Sequence, residues 1–233
     1  MTSLENDIRE RYDEVNRSIR CAALRSGRDP KEIRVIAVSK GITPFVVAQA
    51  VAQGITTLGE SRPQEFRHKW ELLDTLDVEW HMVGPIQTNK VRLLVGAVHC
   101  IHSVDRLDVA EAISQRGEEL GFITSVLVQV NVSGESTKAG VSPQEAECLI
   151  RSMVLLPGIQ LQGLMTMAPH GKDPEEARPV FRALRTLSED LRQRTGVHLP
   201  ELSMGMTNDY EVAVEEGATM VRIGRRIFGE RKV

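Results

Sequence analysis

The sequence predicts an α/β protein, a single (β/α)8 barrel of the TIM type with an additional helix ahead of its first strand. Short apolar runs recur along the chain, eight in all, and helix-like stretches separate them. Runs of this kind read as strands buried on both faces, which implies parallel pairing with crossover helices. The length of 233 residues matches one small barrel. An open doubly wound sheet uses the same units, but eight of them in this length favour closure. No low-complexity or Pro/Gly-rich linker divides the chain, so residues 1–233 are expected to form one domain.

The elements follow in order. Leu4, Ile8, Tyr12, Val15, Ile19 and Ala23 repeat at helical spacing and predict a long first helix ending near Gly27 and Pro30. The strand runs are "IRVIAVSK", "ITTLGES", "EWHMVG", "VHCIHSV", "SVLVQVNVS", "LQGLMTM", "LPELSMG" and "MVRIG". The clearest helix between them spans 174–195, where Ala177, Val180, Phe181, Leu184, Leu187 and Leu191 form one stripe. "SGESTKAGVSP" and "APHGKDPEE" read as loop insertions.

Composition narrows the functional classes. A formal net charge of -3 gives no general pull towards nucleic acid, and the basic stretch "GRRIFGERKV" lacks interleaved aromatics. "MTSLENDIRE" is polar and acidic, without the basic and then apolar order of a signal peptide, and no window is long and apolar enough to span a membrane, so a cytoplasmic protein without membrane contact is expected. Cys21, Cys100 and Cys148 are widely spaced and read as reduced, buried thiols. His81, His99, His102 and His170 share no metal-ligand spacing, and "HCIH" on a strand sends its two histidines to opposite faces, so they read as core or strand-end residues and no metal is expected. The serine-hydrolase elbow, the Walker loop and the dinucleotide glycine motif are all missing from the sequence.

In a barrel, function sits at the carboxyl ends of the strands. Lys40 ends the first run, and a lysine there is either an ordinary snorkelling side chain or the amine that holds a carbonyl cofactor as a Schiff base. "LSMGMTNDYE" places Ser203, Gly205 and Thr207 ahead of a helix, which suits a phosphate cradle or plain helix capping equally. Gly224 and Arg225 follow the eighth run, where barrels often bind phosphate. Arg222 lies within that run and shares a face with Met220 and Gly224, while Val221 and Ile223 face the other way. It needs a partner, either a barrel carboxylate or an anionic or aromatic cofactor at the mouth. Asn131, at the end of the fifth run, and Met165, in the sixth, complete the candidate cofactor contacts.

These residues together resemble the pyridoxal phosphate homeostasis proteins, single barrels similar to the amino-terminal domain of bacterial alanine racemases. The matching segments are "AVSK", "GESRPQEF", "WHMVGPIQTNKVR", "IHSVD", "VNVSGESTKAG", "GLMTM" and "LSMGMTNDYEVAVEEGATMVRIGRRIFGER", in order across residues 37–231. The resemblance implies that Lys40 holds pyridoxal 5'-phosphate as a Schiff base, with Ser203, Gly205, Thr207, Arg222, Gly224 and Arg225 around its phosphate and ring. Ser61 departs from the family, which usually has asparagine there, and Ile42 replaces a lysine that some relatives carry. Lys138 and Lys90 match family positions, Lys138 as a secondary cofactor contact or relay.

Arg222 maps to the arginine that faces the pyridine nitrogen in racemase-like barrels. A guanidinium there disfavours a pyridinium and makes the cofactor a poorer electron sink. Racemases of this kind also use a tyrosine from a further domain, and neither Tyr12 nor Tyr210 corresponds to it. The resemblance therefore implies storage, buffering or delivery of pyridoxal phosphate, with other B6 vitamers as possible ligands and PLP-dependent apo-enzymes as transient partners. The alternative is a small PLP-dependent amino-acid racemase. A monomer without catalytic activity of its own is expected.

Overall fold

The computed structural model describes residues 3–135, 137–169 and 171–229, with side chains from residue 7 onward. His170, the side chain of Leu4 and the last residues of the basic stretch lie outside the described residues. All eight expected strands form: β1 (Arg34–Val38), β2 (Thr57–Glu60), β3 (Glu79–Met82), β4 (Cys100–Val104), β5 (Thr124–Gln129), β6 (Ile159–Met165), β7 (Glu201–Met206) and β8 (Met220–Ile223). They are parallel in sequence order, and β8 closes on β1 with Ile36 opposite Arg222. The predicted barrel is the observed one.

Helices α1 (Ser3–Arg25), α2 (Pro44–Ala52), α3 (Pro63–Leu72), α4 (Leu107–Leu120), α5 (Pro143–Met153), α6 (Arg178–Thr195), α7 (Tyr210–Glu215) and α8 (Arg225–Phe228) surround the strands. Helix α1 packs against α2, α7 and α8, burying Ile8, Val15, Ile19 and Ala23 of the predicted stripe. The stretch read as one helix over 174–195 begins as a 3-10 turn, Pro174–Ala177, before α6. The link from β3 to β4 also differs from the α-helical pattern. Gly84 and Pro85 open it, left-handed Gly96 closes it, and only a 3-10 segment, Thr88–Leu93, fits between.

Strand alternation creates two cores. Residues such as Ala37, Leu58, Ile101, Val128, Val221 and Ile223 face the helices and pack with Phe66, Ile113 and Phe181. Inside the barrel, Ile36, Cys100, Leu127, Met165 and Met220 form a smaller apolar cluster. The remaining interior is polar, with His81, His102, Ser203 and Arg222 all buried.

The cysteine expectation needs correction: Cys100 is buried, but Cys21 and Cys148 are exposed. Each lies two positions from a buried helical neighbour, Ile19 and Ala146, and so about 200° round the helix on its solvent face. No helix among the described residues is long and apolar enough to cross a membrane.

Candidate cofactor site

A cavity of about 630 Å³ opens at the carboxyl ends of the strands. Lys40, Ser61, Lys138, Thr207, Arg222, Gly224 and Arg225 are in its wall, joined by Gln129 and Met167. A larger groove of about 880 Å³ lies outside the barrel beside α6, lined by Val132, Arg182 and Leu187. It shares no residue with the mouth, where an amine, a guanidinium and a hydroxyl converge.

Lys40 is exposed in the turn after β1, and the residues on both sides of it are clamped. Lys69, on α3 and only 2% exposed, donates to the Ser39 carbonyl at 2.7 Å, to Glu60 at 2.5 Å and to Glu65 at 2.9 Å. Glu65 in turn accepts the Gly41 amide at 2.5 Å, and the Ser39 hydroxyl donates to Glu60 at 2.7 Å. Burial pushes the Glu60 carboxyl upward, against the pull of Lys69. A buried charge needs such a partner, and the cluster also fixes the backbone that presents Lys40. Lys69 is not among the residues that the sequence motifs single out. Its signal was the spacing from Phe66 to Lys69 to Leu73, which puts a lysine on the buried helix face.

Arg222 points inward as the alternation requires. Its Nη1 donates to Ser203 Oγ at 2.6 Å and its Nη2 to the Thr166 carbonyl at 2.9 Å. Burial lowers its pKa to about 10, with Asp209 opposing, so it is protonated at neutral pH. Its hydrogen-bond partners are thus a hydroxyl and a carbonyl, and the Asp209 carboxylate in the same wall acts on it through charge. Ser203 lies beneath the cavity wall and supports it through Arg222.

Three other candidates also sit outside the wall. Gly205 has φ +91°, and a Cβ there would fall 2.5 Å from that of Ala213, so it serves the close approach of β7 to α7. Asn131 donates to the carbonyls of Glu135 at 2.8 Å and Lys138 at 3.2 Å, shaping the loop that brings Lys138 to the mouth. Met165 is buried in the barrel cluster, and Met167, two residues on, reaches the cavity. Lys138 donates to the Met167 carbonyl at 3.4 Å.

His81, Cys100 and His102 bring three potential donor atoms within 4.8 Å of one another. The two histidines are already hydrogen-bonded, Nδ1 to Nε2 at 2.8 Å, tighter than the roughly 3.3 Å between two donors on one tetrahedral zinc. Burial also pushes the Cys100 thiol up, keeping it protonated.

A closed parallel barrel with a clamped lysine after β1 and an arginine in β8 defines a racemase-like barrel. The family model "Alanine racemase, N-terminal domain" matches residues 19–232. The chain belongs to the pyridoxal phosphate homeostasis protein family: it is 45% identical over 223 residues to the member from Aquifex aeolicus, covering 96% of this chain and 98% of that one. A crystal structure of an unknown protein from Bifidobacterium adolescentis superposes with a TM-score of 0.91 at 34% identity, over 98% of this chain and 97% of the other. PipY of Synechococcus elongatus, solved with PLP bound, gives a TM-score of 0.80 at 36% identity over 91% of this chain and 99% of its own.

Proposed function

We infer that this protein binds pyridoxal 5'-phosphate at the barrel mouth and serves its homeostasis in the cytoplasm by storing, buffering or delivering it. The observation that carries this reading is the meeting of Lys40, Arg222 and Thr207 in one cavity. The residues fit the group. The Lys40 amine condenses with the aldehyde, losing one water, to form a Schiff base. Arg222 stands as a fixed donor for the pyridine ring, while Thr207, Gly224 and Arg225 receive the phosphate on the β7–β8 side. Gly224 also keeps that side tight, because a Cβ there would lie 3.1 Å from the Val38 carbonyl oxygen. When bound, the cofactor supplies an electrophilic carbon that exchanges one amine for another, which suits hand-over to an apo-enzyme without release of free aldehyde.

Family membership and the PLP-bound relative support the ligand. Neither Tyr12 nor Tyr210 is in the wall of the cavity, which supports a carrier over a two-base racemase, while the donor-only Arg222 disfavours chemistry that needs a strong electron sink. Lys138, at the same mouth, is a secondary contact or relay for release. The test is to challenge PLP-loaded protein with a phosphatase and then with a PLP-dependent apo-enzyme. Slower hydrolysis than for free PLP, followed by reactivation of the apo-enzyme, supports the reading. Hydrolysis at the free rate with no reactivation would refute it.

A further inference from the structure

A line of hydrogen bonds runs the length of the barrel interior. It starts at Glu79, the first residue of β3, whose side chain is 35% exposed at the amino-terminal rim. Glu79 Oε1 lies 3.1 Å from His81 Nε2. His81 Nδ1 lies 2.8 Å from His102 Nε2, and His102 Nδ1 lies 2.8 Å from Ser203 Oγ. Ser203 Oγ accepts from Arg222 Nη1 at 2.6 Å, and Arg222 is in the wall of the mouth cavity.

The two ends dictate the direction of every bond. An ionised carboxylate only accepts, and a guanidinium only donates. Burial lowers the pKa of both histidines, His102 well below its ordinary value, so both are neutral with one donor and one acceptor nitrogen each. His81 must give its Nε2 proton to Glu79, which leaves Nδ1 to accept. His102 must then carry its proton on Nε2 and accept at Nδ1. The Ser203 hydroxyl therefore donates to His102 and uses its lone pairs for Arg222. No other proton arrangement satisfies all the contacts. His99 and Arg34 also approach Glu79, at 3.3 and 3.8 Å, and help keep it ionised.

We propose that Glu79, at the opposite end of the barrel from the cavity, is a positioning residue for Arg222: it sets the one-way polarity of the His81–His102–Ser203 chain and so the orientation of the Ser203 hydroxyl against the guanidinium. A reversed chain would make Ser203 accept from both His102 and Arg222 and turn its own proton elsewhere. As a role in cofactor binding, this rests on the PLP reading; as a statement about the proton chain, it does not.

The test separates the two. Cofactor-free protein with 15N-labelled histidine, examined by long-range ring-nitrogen NMR at neutral pH, should show His81 and His102 both neutral and protonated on Nε2. A His102 proton on Nδ1, or an imidazolium, would overturn the proposal. Glu79→Gln keeps the shape but can donate as well as accept, and should mix the tautomers of both histidines. Glu79→Lys, donor only, should reverse them. An unchanged His102 in both variants would overturn the proposal. With PLP added, Glu79→Gln should bind about two- to tenfold more weakly and shift the visible band of the bound cofactor. Native affinity and a native band would overturn the positioning role. If the native protein itself binds no PLP, the cofactor reading fails, and the NMR pattern alone judges the chain.

Discussion

The ammonium of Lys69 donates to the main-chain carbonyl of Ser39 at 2.7 Å, one residue before Lys40. A buried lysine thus holds the backbone from which an exposed lysine presents its amine.

Lys69→Met removes the cation and leaves Glu60 buried without its partner. Breaking a buried pair from one side costs about 3–5 kcal/mol. Chemical denaturation should show a loss of that order, and adding Glu60→Leu to Lys69→Met should restore much of it. A loss below about 1 kcal/mol in the single variant would mean that the cluster is not structural.

Acid should weaken the fold from about pH 6.5 downward. His81 and His102 have pKa values lowered from 6.5 by burial, so the unfolded chain binds their protons first. Their contribution is full above pH 6.5 and falls as pH falls, by up to about 1.4 kcal/mol per pH unit for each histidine. Glu79, lowered to about 2 by the hydrogen bond from His81, loses its contribution in a separate, more acidic window below 4.5. Stability measured from pH 8 to 4 should bend near 6.5 in the native protein, and the bend should shrink in His102→Gln.

Gly84→Ala should destabilise the mouth directly. A Cβ at this position would lie 2.1 Å from the Ser61 carbonyl oxygen, so the ends of β2 and β3 would have to part. Overpacking of this kind costs about 1–3 kcal/mol. Thermal melts should show the loss; an unchanged midpoint would mean that the two strand ends separate freely.

Much of this was legible in the sequence, and the limits have physical causes. The eight strands and the face that Arg222 shares with Met220 followed from local periodicity; that this face is the barrel interior is visible only in the closed barrel. Lys40 was legible because a lysine at the end of an apolar strand is conspicuous. Ser203 was found, but its contact runs sideways to Arg222 and His102, across strands distant in sequence. His81 and His102 were read separately as core residues, because nothing in "EWHM" or "CIHS" reveals that the barrel brings their rings together. Lys69 was missed because a lysine on a buried helix face makes sense only once Glu60 is placed opposite it.

The carrier reading predicts little turnover of amino acids. Neither Tyr12 nor Tyr210 is in the wall of the cavity, and Tyr210 is buried at the start of α7. PLP-loaded protein incubated with single enantiomers of amino acids in D2O should show no robust racemisation. Fast turnover that disappears in Lys40→Ala would refute the carrier reading.

The central claim is that Lys40 holds the cofactor, and the most direct measurement is borohydride reduction of the PLP-loaded protein followed by peptide mapping. The account predicts a visible absorption band that reduction abolishes, with a single pyridoxyl adduct on Lys40 that is lost in Lys40→Ala. An adduct on Lys69 or Lys138, or scattered over surface lysines with the band retained in Lys40→Ala, would contradict it.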